Sequence, residues 1–288
     1  MLSIITCSRD EALLRQLGDS IARTVGVPYE LIGIDNAAGG YGICTAYNEG
    51  AARSRYDTLC FLHEDLLFLT PDWGQRVLDW LQDPSIGLIG VAGGTVKTRA
   101  PAMWYTHLSA HSRFNVRQHY KDGRVAHDYW NPGQDRISDV VTVDGLWFCC
   151  RKAVWRETGF DGRTFPGFHG YDADFSMQVH QKGYRVCVIY DVLVEHLSPG
   201  TTGKAWALSA ARFAEKWKRH LPASVHPLTP EEAGQVERMN LKRFLRVLHA
   251  SRYRGAAFVR YGIQYLLRSR HAYNWERLFR NVIRYCFR

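Results

Sequence analysis

The sequence predicts an α/β fold with a mostly parallel central sheet flanked by helices. Short apolar runs alternate with amphipathic stretches of helical period along the first 200 residues, which is typical of a sheet covered by helices on both faces. Clear helix starts and glycine stops separate these runs. The 288 residues suffice for one large domain with an appendage or for two small domains.

Strand and helix patterns alternate in order through the first half of the chain. Four apolar runs predict strands at Leu2–Thr6, Leu31–Ile34, Thr58–Leu62 and Ile86–Ala92. Helical stretches follow the first three runs, beginning near Asp10, after the glycine-rich loop 39–42, and at Thr70. The last start is the most specific, because an N-cap residue is followed by proline and then by an acid in the first turn.

The second half begins with a segment, from Lys97 to about Asp135, that has no regular period and is rich in His, Arg, Trp and Tyr. A long segment of this kind predicts a functional loop or lid. A glycine-containing strand then leads to Arg151 and Lys152, and "GYDADF" opens a helix that ends at Gly183. Two more strand patterns follow, the second ending at Glu195 and His196.

The positive charge is concentrated at the C-terminus. The chain carries a net +9, and the segment from Met239 onward has twelve Lys or Arg but only one acid, Glu276. Apolar residues in this segment recur with the spacing of amphipathic helices, in two sets: Leu241, Phe244, Leu245 and Leu248, and Trp275, Leu278, Phe279 and Val282. Such basic helices lie on an anionic membrane surface, or pack on the α/β domain or on a second subunit.

The cysteines and the N-terminus indicate the cellular compartment. Seven cysteines are scattered in mostly apolar surroundings, without a CxxC pair, so we expect buried free thiols in a reducing compartment and no zinc site. The first residues are already strand-like and do not resemble a signal peptide. No run approaches the roughly 18 apolar residues of a membrane span. The expected location is cytoplasmic, or peripheral at the inner face of the plasma membrane.

One stretch, "FLHEDLLF", places His63, Glu64 and Asp65 directly behind a buried strand. A solvated turn would explain it, but open α/β sheets also hold ligands and metals at the carboxyl ends of their strands. The glycines from Gly39 to Gly42 do not form GxGxxG, and no GxxxxGK[ST] occurs. A dinucleotide enzyme or a P-loop ATPase is therefore disfavoured.

Together with "VDGLWFCC" and "GYDADF", this stretch resembles the family-2 glycosyltransferases of the Rossmann-like GT-A fold. Within them the chain is most similar to the streptomycin-biosynthesis-type glycosyltransferase-like domains, whose third-strand motif begins with His. The resemblance covers about Leu2 to Leu221. It implies a catalytic domain over residues 1–221 and a basic, helical C-terminal extension over residues 222–288.

The resemblance implies a divalent metal, Mn²⁺ or Mg²⁺. In the family, the last carboxylate of a DxD motif binds the metal that grips the donor diphosphate, and by position this residue is Asp65. His63 replaces the first Asp and implies a contact to the ribose or the metal, and Glu64 falls at the variable position. His196 matches a further metal or phosphate contact, with a structural role as the alternative. Hard cations held by a carboxylate and substrate phosphates suit this arrangement.

Four polar residues match the family's contacts to the nucleotide. Thr6 and Ser8 match the loop that lines the base and ribose, Asp35 matches a residue that hydrogen-bonds uracil, and Asn48 matches a contact from the following helix. Each has an ordinary alternative: a helix cap for Ser8, a turn former for Asp35 and an exposed polar residue for Asn48.

The "YDAD" segment matches the family's EDxD motif, which supplies the general base. Tyr171 replaces the first acid and leaves Asp172 as the base by position. Asp172 and Asp174 are two residues apart and do not share a helix face. The alternative is that both acids only stabilise a helix start. Further candidate contacts to the sugars are Asp144, Arg151 and His169, and candidate aromatic platforms are Trp104, Tyr105, Trp130 and Trp147.

The function implied is metal-dependent, inverting transfer of a sugar from a nucleotide-sugar, with a UDP-sugar favoured. The acceptor is a hydroxyl of a glycan or lipid-linked molecule in bacterial surface-polysaccharide or related glycan synthesis. A homo-oligomer is compatible with the sequence. A nucleic-acid-binding protein would explain the basic extension but not the acidic motifs. The alternative is a non-catalytic nucleotide-sugar or glycan-binding protein with a decayed site, which would explain both departures from the family motifs.

Overall fold

The computed structural model describes residues 1–268 except 103, 107, 201 and 254. Its strands are β1 (Leu2–Ser8), β2 (Tyr29–Asp35), β3 (Thr58–Leu62), β4 (Leu66–Phe68), β5 (Ile86–Gly90), β6 (Ala92–Gly94), β7 (Val96–Lys97), β8 (Ser112–His119), β9 (Val125–Trp130), β10 (Ile137–Asp139), β11 (Thr142–Val143), β12 (Trp147–Arg151), β13 (Arg185–Ile189), β14 (Val194–His196) and β15 (Ala223–Ser224). Its helices are α1 (Glu11–Thr24), α2 (Ile43–Arg53), α3 (Trp73–Trp80), α4 (Lys152–Thr158), α5 (Tyr171–Gln181), α6 (Lys204–Lys216), α7 (Pro230–Ala250) and α8 (Ala256–Arg268).

The central sheet has seven strands in the order β10-β13-β5-β12-β3-β1-β2. β1 pairs in parallel with β2 and β3, and β13 pairs in parallel with β5. β12 runs antiparallel between β3 and β5, and β10 runs antiparallel to β13. The predicted α/β class with flanking helices is confirmed, and the sheet is mixed because β12 and β10 oppose their neighbours.

Helices cover both faces of this sheet. One face packs against α2, α4, α5 and α6, and the opposite face packs against α1 and α3. Every residue of β3 and of β5 is buried, as expected for strands that are enclosed on both faces. The apolar runs in the sequence therefore mark the centre of the sheet.

A second sheet stands beside the first, with strands in the order β11-β6-β8-β14-β4 and with β9 paired to β8. The β8–β9 hairpin lies in the segment predicted as a loop or lid, so this part of that prediction is wrong. Most residues of β9 are exposed, and polar and aromatic side chains occupy both of its faces. The hairpin consequently lacks the apolar alternation that identifies a strand.

The predicted C-terminal extension, residues 222–288, begins with β15, which pairs with β7. It continues with α7, whose first turn is closed by a capping box between Thr229 and Glu232. The first predicted apolar set, Leu241, Phe244, Leu245 and Leu248, is buried against α6 and α8. This face therefore packs on the protein itself, which was the alternative to a membrane contact. The second set, Trp275, Leu278, Phe279 and Val282, lies outside the described residues. No described helix is both long and apolar enough to span a bilayer.

Asp174 fastens α5 to the end of α6. Its carboxylate is 2.7 Å from the ammonium of Lys216 and accepts a hydrogen bond of 2.8 Å from the indole N–H of Trp217. Its side chain is only 1% exposed, and Lys216 also pairs with the more exposed Asp161 at 2.8 Å. This carboxylate is therefore fully engaged in holding two helices together.

We expect Asp174→Ala to lower the free energy of unfolding by about 2–4 kcal/mol, because it leaves a buried indole N–H and part of a buried cation without a partner. Urea denaturation followed by circular dichroism measures this loss. Glu215→Ala is the control, since it removes an exposed carboxylate from the same end of α6 that pairs with the surface side chains of Lys218 and Arg260, and it should cost much less. Equal losses in the two variants would contradict a structural role specific to Asp174.

Candidate active site

The topology brings two chain segments together at one edge of the sheets. His63 and Asp65 follow β3, and His196 is the last residue of β14. β14 pairs antiparallel with β4, with His196 opposite Leu66. The N–H of Leu197 donates to the carbonyl of Asp65 at 3.0 Å. Two motifs that are 130 residues apart in the sequence are thus adjacent in space.

His63, Asp65 and His196 form a cluster that can hold a metal ion. One potential ligand atom from each of them lies within 4.8 Å of the others. The Nε2 atom of His196 is 3.6 Å from Oδ2 of Asp65. The cluster is largely buried, so the protein would shield a bound cation and its ligands from solvent.

The tautomer of His196 follows from its neighbour Gln118. The side-chain amide of Gln118 donates 2.7 Å hydrogen bonds to the carbonyls of His119 and Ser198, which fixes its orientation. Its Oε1 atom must then accept from Nδ1–H of His196, at 3.0 Å. The Nε2 lone pair of His196 is left facing Asp65, and a hydrogen bond from the other ring nitrogen is what orients a metal-binding imidazole.

His63 is held in the same way by Tyr171. The Tyr171 hydroxyl donates to the carbonyl of Gly145 at 3.0 Å, so its oxygen accepts from Nε2–H of His63 at 2.8 Å. Burial, and then the neighbouring His196, lower the pKa of His63 to about 4. At neutral pH, His63 is therefore an uncharged imidazole whose Nδ1 lone pair can serve as a ligand.

The donor set is thus two neutral imidazoles and one carboxylate, and these residues fit a divalent cation. Nitrogen ligands favour transition metals over an ion such as Mg²⁺, which prefers oxygen. When bound, such an ion neutralises negative charge on a phosphate group.

The cluster lies at the junction of a two-lobed cleft. The first lobe is a cavity of about 550 Å³, and the second is a cavity of about 350 Å³. Both are lined by His63, Phe168, His196 and Gly200. A ligand in one lobe can therefore meet a ligand in the other beside the candidate metal site.

The first lobe is not lined by the four residues that match the family's contacts to the nucleotide, which are Thr6, Ser8, Asp35 and Asn48. It is lined instead by their neighbours Cys7, Arg9 and Asn36. Side chains alternate between the two faces of a strand, so the strand that turns Cys7 toward the cleft turns Thr6 and Ser8 away from it. Thr6 is completely buried.

The remaining side chains of this group have partners within the protein. Ser8 donates to the carboxylate of Glu64 at 2.6 Å, and Asp35 accepts from the N–H of Ala37 at 2.9 Å. Asn48 bonds both the N–H and the carbonyl of Phe160, at 3.0 and 2.8 Å. The contact of Asp35 matches its alternative role as a turn former. Ser8 is not the helix cap that was its alternative, because Asp10 caps α1, and Asn48 is tied to a neighbouring loop.

The second lobe contains three of the predicted residues, Asp144, His169 and Asp172. The Oδ2 atom of Asp172 accepts from the N–H of Gly145 at 3.2 Å. Burial raises the pKa of Asp172. Burial, followed by the charge of Asp172, raises the pKa of Asp144 to about 7. Desolvation therefore makes both carboxylates more basic than exposed ones, which is what a general base near neutral pH requires.

Arg151 lies outside the cleft. Because β12 is antiparallel to β3, Arg151, the last residue of β12, pairs with Thr58 at the opposite edge of the sheet. There the guanidinium donates to the carbonyls of Leu81, Asp83 and Pro84. The structure thus gives Arg151 a local structural contact and does not bring it to a sugar site.

Two of the four candidate aromatic platforms lie at the cleft, and the other two lie away from it. Trp104 and Tyr105 line the second lobe. Trp147 is completely buried in the core, and Trp130 is exposed on β9.

Glu64 and Lys97 are among the charged residues of the cleft that had not been assigned a role from the sequence. Glu64 accepts from the N–H groups of Arg9 and Asp10, at 2.9 and 3.1 Å, in addition to Ser8. It therefore orders the turn beside the first lobe, through partners more than 50 residues away that no local pattern reveals. Lys97 lines the second lobe and is only 2% exposed. The only sign of Lys97 in the sequence was its position at the end of the otherwise uncharged run "GVAGGTVK".

Comparisons with known proteins agree with this geometry. The model of a family described as "Glycosyltransferase like family" matches residues 3–220. No curated protein shows a significant match to the chain. The specific likeness to streptomycin-biosynthesis-type domains therefore stays a prediction.

Three solved structures share the fold. GalNAc-T7 with UDP, GalNAc and Mn²⁺ is 13% identical, with a TM-score of 0.52 over 75% of this chain and 48% of that chain. The mannosyltransferase PcManGT from Pyrobaculum calidifontis, in complex with GDP-Man and Mn²⁺, is 14% identical, with a TM-score of 0.50 over 99% and 84%. S. aureus TarS is 11% identical, with a TM-score of 0.50 over 86% and 43%. The chain thus spans about half the length of GalNAc-T7, and at these identities the likeness establishes the GT-A fold alone.

We expect Tyr171→Phe to weaken Mn²⁺ binding by about 10- to 100-fold, because His63 loses the hydroxyl that fixes its tautomer and ring orientation. Titration of Mn²⁺ in the absence of nucleotide, followed by electron paramagnetic resonance, measures the affinity. Tyr184→Phe is the matched control, since it removes a hydroxyl that bonds only the surface residue Glu157. Unchanged Mn²⁺ affinity in Tyr171→Phe would show that the hydroxyl does not orient a ligand.

Proposed function

The chain belongs to the glycosyltransferase-like family whose model spans residues 3–220, and from this premise we propose that it is a metal-dependent, inverting glycosyltransferase. The proposed donor is a nucleotide-sugar, with a UDP-sugar favoured. The proposed acceptor is a hydroxyl of a glycan or a lipid-linked molecule, in bacterial surface-polysaccharide or related glycan synthesis.

One observation carries this proposal: the candidate metal cluster lies between a lobe that suits a nucleotide and a lobe that contains a buried carboxylate. In the first lobe, the cation of Arg9 faces the space in which a diphosphate would lie. In the second lobe, Asp172 is available to an acceptor hydroxyl. The two substrates would meet beside His63 and His196.

In this proposal His63, Asp65 and His196 hold the cation, which supplies charge neutralisation for the departing nucleoside diphosphate. We favour Mn²⁺ over Mg²⁺ because two of the three ligands are imidazoles. Asp172 takes the proton of the acceptor hydroxyl as the oxygen attacks the anomeric carbon. Because base and leaving group occupy different lobes, a single displacement with inversion is the simplest course, and it needs no protein nucleophile.

The alternative is a binding protein with a decayed site. It is supported by His63 and Tyr171, which each replace an acid of the family motifs. The structure gives those two residues a 2.8 Å hydrogen bond to each other. Two replacements that complement each other in this way favour a retained function over decay. The membrane contact proposed for the extension now depends on the sequence of residues 275–282, because the first apolar set is buried.

Asp65→Ala should abolish Mn²⁺-dependent UDP binding while leaving the fold intact, because Asp65 is the only carboxylate of the three candidate ligands. Calorimetric titration of UDP with and without Mn²⁺ measures the effect, and thermal unfolding checks the fold. Asp19→Ala, at an exposed site on α1, is the control. An unchanged Mn²⁺-assisted affinity for UDP would refute this ligand assignment.

Asp172→Asn should reduce transfer by about 10²-fold or more, because the amide keeps the shape of the side chain but cannot accept a proton. Its affinity for UDP should hold. In the wild type, the acid limb of kcat/KM should lie above about pH 4, the pKa of an exposed Asp, since burial raises the pKa of Asp172 and the base must be ionised. Normal turnover by Asp172→Asn would exclude Asp172 as the base.

A further inference from the structure

We propose that Phe168 is the platform on which the transferred sugar stacks, at the junction of the two lobes. This inference rests on the proposed transferase function, because it assigns a place to the sugar of the same donor. Phe168 belongs to none of the motifs found in the sequence, and it takes no part in the mechanism proposed for Asp172. Its role would be to fix the sugar between the candidate metal site and that carboxylate.

The junction of the cleft is lined by few side chains. Among the described residues, those that line both lobes are His63, Phe168, His196 and Gly200. Two of them are candidate metal ligands, and one is a glycine. Phe168 is therefore the one apolar side chain that these two cavities share within the described part of the chain. A group that is transferred from one lobe to the other has to lie beside this ring.

The ring of Phe168 is open to the cleft. The residue is 51% exposed, and its ring centre lies 5.2 Å from that of His63 and 5.5 Å from that of His169. The planes of the Phe168 and His63 rings differ by 38°, so the two rings are not stacked face to face. Exposed apolar surface is favourable to bury, and a flat apolar ligand would bury it.

The loop that carries Phe168 is fixed on both sides of the ring. Before it, Phe165 is completely buried, and the carbonyl of Gly167 accepts from the N–H of Ile43 at 3.2 Å. After it, Gly170 has a φ of 89° and stands directly before α5. A Cβ atom at Gly170 would lie 2.8 Å from the ring of Phe165. The exposed ring is thus carried by ordered backbone, which keeps the entropic cost of ligand binding low.

The glycine-rich loop makes room for this segment. A Cβ atom at Gly42 would lie 2.1 Å from the carbonyl oxygen of Pro166, so the two loops can touch only with glycine at this position. Gly42 and Pro166 both line the first lobe. The loop of Phe168 therefore rests against the lobe in which the nucleotide is proposed to bind.

The chemistry of the donor places its sugar beside Phe168. In a nucleotide-sugar, the anomeric carbon is bonded to an oxygen of the distal phosphate. His63 and His196, which would hold the cation beside the diphosphate, line the same junction as Phe168. A sugar attached to that phosphate consequently lies at the junction and not deep within either lobe.

A pyranose ring suits an aromatic platform. One face of the ring presents C–H groups and is apolar, whereas the hydroxyl groups project from its edge. Packing the apolar face on an aromatic ring removes both surfaces from water and leaves the hydroxyl groups free for polar contacts. The imidazoles and the glycine of the junction offer no comparable apolar surface. Phe168 would hold the plane of the sugar, and with it the direction in which the anomeric carbon faces Asp172.

The test measures how much the sugar adds to the affinity of the nucleotide. Calorimetry of the full-length protein with saturating Mn²⁺ gives the affinities for UDP, UDP-glucose, UDP-galactose and UDP-N-acetylglucosamine. The gain is the ratio of the affinity for the tightest UDP-sugar to the affinity for UDP, and we expect it to exceed one in the wild type. In Phe168→Ala this gain should fall by about three- to tenfold, as loss of an aromatic contact implies, while the affinity for UDP itself is unchanged.

Two further variants separate stacking from bulk. Phe168→Tyr keeps the aromatic ring and should keep most of the gain, whereas Phe168→Leu keeps an apolar side chain without a flat face and should lose most of it. This pair remains a complete test if Phe168→Ala does not fold. Tyr129→Ala is the control, because it removes an aromatic side chain that is 50% exposed on β9 and lines neither lobe, and it should leave the gain unchanged.

An equal gain in the wild type and in Phe168→Ala overturns the proposal, and so does an equal gain in Phe168→Tyr and Phe168→Leu. A Phe168→Ala variant that binds Mn²⁺ and UDP more weakly but keeps the gain would make Phe168 a cover for His63 and not a platform. A wild type that binds no UDP-sugar more tightly than UDP overturns it too. Failure of the wild type to bind any of the four nucleotides is a separate result, since it removes the proposed donor and the platform with it.

Discussion

The hydrogen bond between His63 and Tyr171 is the contact on which the geometry of the cleft depends. It joins the metal-binding motif after β3 to the first residue of the helix that carries Asp172, at a distance of 2.8 Å. Gly145 makes it possible, because a Cβ atom at this position would lie 2.0 Å from the Tyr171 hydroxyl. The backbone N–H of Gly145 also donates to Asp172. The candidate metal ligand and the candidate base are thereby held by one local network.

Burial shifts the pKa of each group in this network toward the uncharged form. Desolvation disfavours charge, so it lowers the pKa of His63 and raises the pKa of Asp144 and Asp172. Neutral imidazoles are the form that binds a metal, and a carboxylate of raised pKa is a stronger base. Burial also raises the pKa of Asp174, only two residues from Asp172, but its carboxylate is already engaged by the ammonium of Lys216 and the indole N–H of Trp217. Environment, rather than residue type, thus separates a candidate base from a structural acid.

The sequence predicted those features that depend on where a strand ends. His63, Asp65 and His196 could be placed at one edge because each follows a recognisable apolar run. The side-chain direction at Thr6 and Ser8 could not be placed, since it changes with a shift of one residue. The position of Arg151 depends on β12 being antiparallel, which no local pattern reveals. The contact between His63 and Tyr171 spans 108 residues. The sequence therefore showed that each residue departs from its family motif, but it did not show that the two residues bond to each other.

The basic extension acquires a physical role from its packing. Its first apolar face packs in a core shared with α6. Arg260 lies 3.0 Å from Glu215 of α6, and Arg268 lies 3.9 Å from Glu237 within the extension itself. Glu237 in turn holds residues 99 and 100 beside the second lobe. A helix anchored by this buried core holds Arg243 at the wall of the second lobe. The packing of α7 and α8 therefore links the basic C-terminal segment to the cleft. This link does not depend on whether residues 275–282 contact a membrane.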